Sequence, residues 1–403
     1  MLQLAGASPE FWDLSPIKYS ETAATDPVSL LARRLTEQPL EPMPALDRLR
    51  YVLKELNVPE SSQILVFSKT SKQIGLIGPR NPRALYYSEN VYVGYVPGGA
   101  IEVIAEDPIL GPVFYLIKGD SQHGMVVTRD SSDCFSCHAT TRTNGVPGMF
   151  VRSVYPDADG HIIGSLGSET VTHETPIKDR WGGYYVTGKS ALPHLGNRIF
   201  SEDGALPEPA QQSLQSLENT IETGKYLLPT SDIVSLMVLE HQCLVHNLLT
   251  DAKLRYRRAA YLAKAISPDE DPDEGQAGRM ADSAARKIVD ALLFKDEADL
   301  GDGVDGSEEF MADFSSRYPT DERGKSLTNF RLYHRLFKYR CSYMIYSQAF
   351  ASLPARVKSA VYDRLEDALS EEDEAIAPWL GGREKTTIRR ILKETLADWP
   401  MEE

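Results

Sequence analysis

Cysteine is scarce: the chain has four in 403 residues, and two of them, Cys243 and Cys341, stand alone and far apart. A small disulfide-stapled fold is thereby excluded, because such folds need several closely spaced pairs. Positive charge is also short. Lys and Arg number 43 against 58 Asp and Glu, a net charge of -15 that argues against nucleic acid or an anionic membrane surface as partner. The same charge suits docking to a basic redox partner protein. No run approaches the ~18 apolar residues of a membrane-crossing helix, so no membrane span is expected. Internal repeats and low-complexity segments are missing too. What remains is ordinary globular composition, 42% hydrophobic and 25% charged, long enough for two domains.

The other two cysteines fall in one pentapeptide, Cys134-Phe135-Ser136-Cys137-His138. In a c-type haem attachment sequence, two thiols bond one porphyrin edge and the next residue turns its imidazole toward the iron. With four Cys and eight His, an accidental C-x-x-C-H arises in about one such chain in a thousand. A zinc half-site would need a second ligand pair, which the solitary Cys243 and Cys341 do not supply. A thioredoxin-like redox pair should open a helix after a strand, whereas Gly145 and Pro147 cut this helical stretch short. One covalent haem c is the expectation, with Cys134 and Cys137 as attachment points and His138 as proximal iron ligand. Haem c is attached outside the bacterial cytoplasm, and MLQLAGASPEF is too short and polar for a whole signal peptide. The chain is therefore read as the mature part of an exported, periplasmic protein.

The pattern divides into an N-terminal helical wrap (1–60), a β-rich haem-bearing domain (61–200), a polar crossover (201–230) and an all-α domain (231–403), hence an α+β fold class. Asp26-Pro27 opens a short helix, and a second runs about 46–56. From Gln63 the period changes to two, through ILVFSK, ALYYSENVYVGYV, AIEVIAE, VFYLIK and GMVVTR, then past the motif through GMFVRSVYP, HIIGSLGS and WGGYYVTG. Helical patterns follow at 231–266, 276–297, 326–353, 354–370 and 384–397. The acidic stretch LGDGVDGSEE lacks EF-hand spacing and reads as a solvated linker.

The sixth iron position decides between electron transfer and chemistry on a small molecule. Candidate distal ligands are His173, His241 and His194, with His123, Met125 and Met149 as further options; the methionines suit core packing equally well. In the helix from 231 to 250, His241 lies on an apolar stripe, Glu240, Cys243 and Asn247 form a polar one, and His246 is about 140° around from His241. Glu240, His241 and His246 are thus the candidate catalytic or proton-relaying groups, with a satisfied core histidine plus a surface one as the plain alternative. Arg142, Arg152 and Arg180 could pair with haem propionates, and Trp181, Tyr184 and Tyr185 could lie against the macrocycle, though each also suits ordinary packing. Tyr339, Tyr343 and Tyr346 read as a core helix face, and Cys243 and Cys341 as either a disulfide or two buried thiols.

The stretches ILVFSKTSKQ, ENVYVGYVPGGAIEV, DCFSCHATTRTNGVPG, VRSVYPDADG, RWGGYYVTG, LMVLEHQCLVHNLL and CSYMIYSQAF resemble a family of large exported bacterial proteins with one C-x-x-C-H, described as cytochrome c-like. The resemblance spans about residues 15–400. It implies a mono-haem c protein attached through Cys134, Cys137 and His138, and supplies no agreed distal ligand, substrate or reaction. This chain departs from the family in carrying Arg340, where the family has Pro, beside Cys341. The expected role is periplasmic electron transfer, the alternatives being a haem oxidoreductase of peroxidase or small-molecule type and a haem-based ligand sensor.

Overall fold

A computed structural model describes residues 10–119, 124–130, 132–202, 213–370 and 376–400. Helix α1 (Pro27–Glu37) starts where Asp26 accepts the N–H groups of Val28 at 2.8 Å and Ser29 at 3.0 Å. Pro27 at the first helical position gives up no bond there. After α2 (Ala45–Glu55) the chain forms β1 (Ile64–Val66), β2 (Arg83–Tyr87), β3 (Val91–Tyr95), β4 (Ile101–Asp107), β5 (Gly111–Lys118) and β6 (Val126–Asp130). The turn from β4 to β5 is built by Asp107, whose carboxylate accepts from the N–H of Ile109 and Leu110, and by Gly111 at φ 75°. A left-handed residue there is cheap only for glycine.

Between β6 and β9 (Tyr184–Tyr185) lie the four-residue helix α3 (Phe135–His138) and the antiparallel pair β7 (Val151–Val154) and β8 (Ser168–Val171). The main sheet is antiparallel, in the order β6-β5-β4-β3-β2-β1-β9. Its register sets the two faces. Val93, Val103 and Tyr115 stand opposite one another on one face, buried against Leu31, Leu49 and Val52 of α1 and α2. Tyr92, Ile104 and Phe114 form a row on the other face, with Gly94, Glu102 and Leu116 as the next row. That second face receives α3 and the long helix α4 (Ile233–Ile266), to which Tyr87 is tied by its hydroxyl, 2.8 Å from the Ser235 carbonyl.

The rest is mainly helical: after the short strand β10 (Lys189–Ser190), which precedes α4, come α5 (Gln276–Leu292), β11 (Val304–Asp305), α6 (Glu308–Ser316), β12 (Phe330–Tyr333), β13 (Arg335–Phe337), α7 (Gln348–Ala351), α8 (Ala355–Leu369) and α9 (Gly382–Thr395). The protein is α+β, a β-rich region followed by a helical one. The two share a core, since Ile64, Val66, Tyr87 and Tyr184 of the sheet belong to one apolar cluster with α4, α5 and α8. Residue 231 is thus an element boundary and not a packing boundary.

Two expectations are corrected. The stretch 326–353 is no single helix: it forms the β12–β13 hairpin, a 3₁₀ turn at Tyr343–Tyr346 and the short α7. Leu332 and His334 take left-handed φ values of 57° and 59°, and Phe330 pairs across the hairpin with Phe337. The apolar spacing there fits periods of two and 3.6 alike, and aromatic packing onto Phe314 selects the hairpin. The acidic Gly/Asp loop contributes β11, paired with β10, and is not merely a linker. By length and composition α4 could cross a membrane, but its most apolar window is 89% buried within the protein. Glu240, His241, Gln242, His246 and Asn247 interrupt its apolar run and find internal partners. Cys243 and Cys341 are both buried and free, which leaves the two-thiol alternative and removes the disulfide.

Candidate functional site

The pentapeptide is held by its middle and by the loop before it. Asp130 at the end of β6 accepts from the N–H of Ser132 at 3.0 Å and Asp133 at 2.9 Å, while Lys72 pairs with both Asp130 and Asp133. Phe135 packs against Trp12 at 4.8 Å, Tyr19 at 5.3 Å and Phe114 at 5.5 Å, and so pins the turn to the sheet and the N-terminal wrap. Cys134 is left half-buried, Cys137 exposed and His138 half-buried, one helical turn apart on one short helix. Burial, and then Asp130, push the Cys134 thiol up to about 12. A redox-active C-x-x-C pair needs the opposite, a thiol brought down toward neutrality. Nor do the described residues hold any group of three or more His, Cys, Asp or Glu placed to bind a metal ion, so no zinc site is completed around the pair.

His138 lies between the rings of Phe114 at 5.3 Å and Phe150 at 5.8 Å. Its Nδ1 is 2.9 Å from the Gly148 carbonyl. A carbonyl only accepts, so the proton is assigned to Nδ1 and the lone pair to Nε2. Gly148 also donates its own N–H to the His138 carbonyl at 2.8 Å, closing a loop between the two residues. The neighbouring Met149 is fixed from α4: its N–H donates to Asn247 Oδ1 at 3.1 Å, and Asn247 Nδ2 donates to its carbonyl at 2.7 Å. A side chain at 148 has no room, because a Cβ there would fall 2.3 Å from Asn247 Oδ1 and 2.9 Å from Thr143 Cβ. Asn247 and Gly148 thus set the position of the carbonyl that orients the motif histidine.

Cationic groups gather beside the motif. Arg142 donates to Thr170 at 2.9 Å and Ser168 at 3.2 Å, and Arg152 donates to the same Ser168 hydroxyl at 3.0 Å. Neither has a carboxylate partner among the described residues. Burial and the nearby Arg142 charge lower the Arg152 pKa, while Cys137 opposes them. The Nε atoms of Arg152 and Arg83 are buried without a partner; Arg83 donates through Nη1 to Glu102 at 3.3 Å on the sheet face.

The remaining sequence candidates lie in other settings. His173 and His241 contact each other, Nδ1 to Nδ1 at 3.0 Å, with His173 Nε2 on the Lys295 carbonyl at 3.2 Å and His241 Nε2 on the Ser342 hydroxyl at 2.7 Å. The carbonyl dictates a proton on His173 Nε2, so His241 donates from Nδ1 and accepts from Ser342. All four ring nitrogens are used, and Phe294 stacks on His241 at 4.0 Å. Burial brings His173 down to about 4 and His241 well below the usual histidine range. Glu240 accepts from Arg180 and, at 3.2 Å, from Trp181; burial pushes it up to about 7 while Arg180 pulls it back. Arg180 is thereby spent inside the core, which removes it as a propionate partner.

His246 belongs to a different network on the far side of α4. Gln242 donates to the Tyr92 hydroxyl at 2.8 Å, that hydroxyl lies 2.8 Å from His246 Nδ1, and His246 Nε2 points at Glu106 Oε2 3.6 Å away. Lys253 completes the chain at 2.9 Å from the other Glu106 oxygen. The three residues expected to share a pocket therefore split between two buried networks. His194 accepts from Gly196 at 3.1 Å, lies edge-on to Trp181, and keeps a buried Nε2 without a partner. Met149 and Met125 are core residues of opposite faces of the sheet. Tyr184 and Tyr185 are buried, while His123 lies outside the described residues.

The sequence pattern alone passed over Gly148, Phe114, Phe135 and the pairing role of Asn247. A signal was present in Asn247, a poor helix former placed mid-helix, and in the glycine before Met149. Comparison with protein-family models, with curated proteins and with solved structures returns no match.

Proposed function

We propose that this chain is a mono-haem c protein, exported to the periplasm, that exchanges single electrons with a basic partner protein. One observation carries the reading: His138 gives its Nδ1 proton to a fixed carbonyl, so its Nε2 lone pair is the one left to ligate a metal. Cys134 and Cys137 would hold the porphyrin covalently, and Phe114 and Phe150 supply flat apolar surface beside the histidine. Arg142 and Arg152, two cations without a carboxylate among the described residues, would take the propionates. The orphaned buried Nε of Arg152 fits that role, since a buried donor calls for an acceptor. Bound haem supplies reversible one-electron exchange at its iron. The chain's own contribution is to orient His138 through Gly148 and Asn247, to exclude water with aromatic rings, and to balance negative charge with the arginines.

A second reading, an accessible iron serving an enzyme or a gas sensor, is favoured by the closed hydrogen bonding of His173 and His241. With both imidazoles committed elsewhere, neither has a lone pair to offer as sixth ligand. The discriminating experiment is the ferrous spectrum with and without carbon monoxide, on protein matured with haem-c machinery. A low-spin spectrum indifferent to carbon monoxide supports the carrier; a carbon monoxide complex supports the open iron. Failure of the Cys134→Ala and Cys137→Ala variants to alter haem retention would contradict both.

A further inference from the structure

A cavity of about 460 Å³ opens between the loop after α5, the β12–β13 hairpin and Trp379. It shares no lining residue with the motif or with α4, and its volume lies in the ~300–1,000 Å³ range of small-molecule sites. Three of its lining residues are held in the left-handed region without being glycine: Phe294 at φ 53°, Asp296 at 57° and His334 at 59°. Such conformations cost side-chain-bearing residues free energy and collect at ligand sites.

The cavity's polar groups are unevenly satisfied. Two of its three carboxylates have internal donors: Asp299 Oδ1 takes His334 Nδ1 at 2.8 Å and the Gly301 N–H at 2.7 Å, and Glu297 Oε1 takes the Leu336 N–H at 2.8 Å, while Asp296 is exposed. Burial also pushes Glu297 up to about 7, which weakens the negative charge facing the arginines. Three arginines, Arg331, Arg335 and Arg340, face these three carboxylates. Arg335 and Arg340 share one carboxylate, Glu384, at 3.1 and 2.9 Å, and Arg331 has no carboxylate partner among the described residues. Among the lining residues, the polar atom buried without a partner is Arg335 Nε, a donor. An unpaired buried donor calls for an acceptor oxygen. Trp379 adds flat aromatic surface.

We propose that this cavity binds a small organic anion with a planar apolar body, its oxyanion facing Arg331 and Arg335 and its ring against Trp379. The assignment goes beyond the haem reading and does not depend on it. The probe is benzoate, titrated into the full-length protein while heat unfolding and tryptophan fluorescence are followed, with acetate and benzylammonium as comparators. Saturable binding of benzoate is expected, weaker for acetate and lacking for benzylammonium. Arg331→Ala, an exposed change that leaves the fold alone, should weaken benzoate at least tenfold. Arg335→Lys keeps the charge but deletes the Nε donor and should also weaken it. No saturable benzoate effect, equal binding of benzylammonium, or unchanged affinity in both variants would overturn the proposal.

Discussion

Replacing Asn247 with leucine removes the clamp on Met149 while nearly conserving side-chain volume. Two hydrogen bonds are lost, at 3.1 and 2.7 Å, and both backbone groups of a buried residue are left without partners. Each orphaned group costs about 1–3 kcal/mol, so a loss of about 3 kcal/mol is expected against a total of ~5–15 kcal/mol. The variant should fold and show a lower urea midpoint with an unchanged slope. In haem-loaded protein the Gly148 carbonyl would hold the His138 Nδ1–H less firmly, making the imidazole a poorer donor and raising the reduction potential. A loss of that bond that is ~1 kcal/mol larger in the ferric than in the ferrous state corresponds to ~40 mV for a one-electron couple. A stability loss below ~1 kcal/mol would refute the clamp. A normal stability loss with an unmoved potential would refute its link to His138.

Gly148→Ala should be worse than Asn247→Leu, because the new methyl meets Asn247 Oδ1 at 2.3 Å; the expected result is poor soluble yield or a Tm lowered by well over 5 °C, read by circular dichroism. His173 and His194 both have folded pKa values of about 4 against 6.5, so the unfolded chain binds more protons between those values. Their contribution to stability is complete above pH ~6.5 and is lost as pH falls toward ~4, about 3 kcal/mol for each. Urea titrations across that range check this, and stability flat from pH 7 to 4 would contradict it. Lys253→Met strips the partner from buried Glu106 and should cost about 3–5 kcal/mol, with part of the loss restored when Glu106→Gln is added. His241→Ala should destabilise the chain without changing the coordination of an attached haem, since both His241 nitrogens already have partners; a switch from six- to five-coordinate iron would show otherwise.

The parts of this fold that were legible are those where one period and its caps agree. Asp26-Pro27 opens α1, the alternation from Gln63 onward gives the main sheet, and the apolar stretch from 231 gives α4. The 326–353 segment was not legible, because its aromatics satisfy both periods and the left-handed Leu332 and His334 carry no glycine or asparagine signal. At the site, C-x-x-C-H marked itself, but its support did not. Asn247 reaches Met149 from 98 residues away in sequence, and no local pattern encodes such a pairing. The same limit explains the histidines: helical geometry correctly separates His241 from His246, but only the folded chain places His173 and Ser342 on either side of His241.

The central claim is that Cys134, Cys137 and His138 carry one covalent haem. The most direct measurement is the intact mass of the denatured protein after maturation with haem-c machinery, paired with its visible spectrum. A mass increase equal to one haem, lost when Cys134 and Cys137 are both changed to alanine, is the expected result. An unmodified mass, with both thiols free to alkylation, would contradict the account.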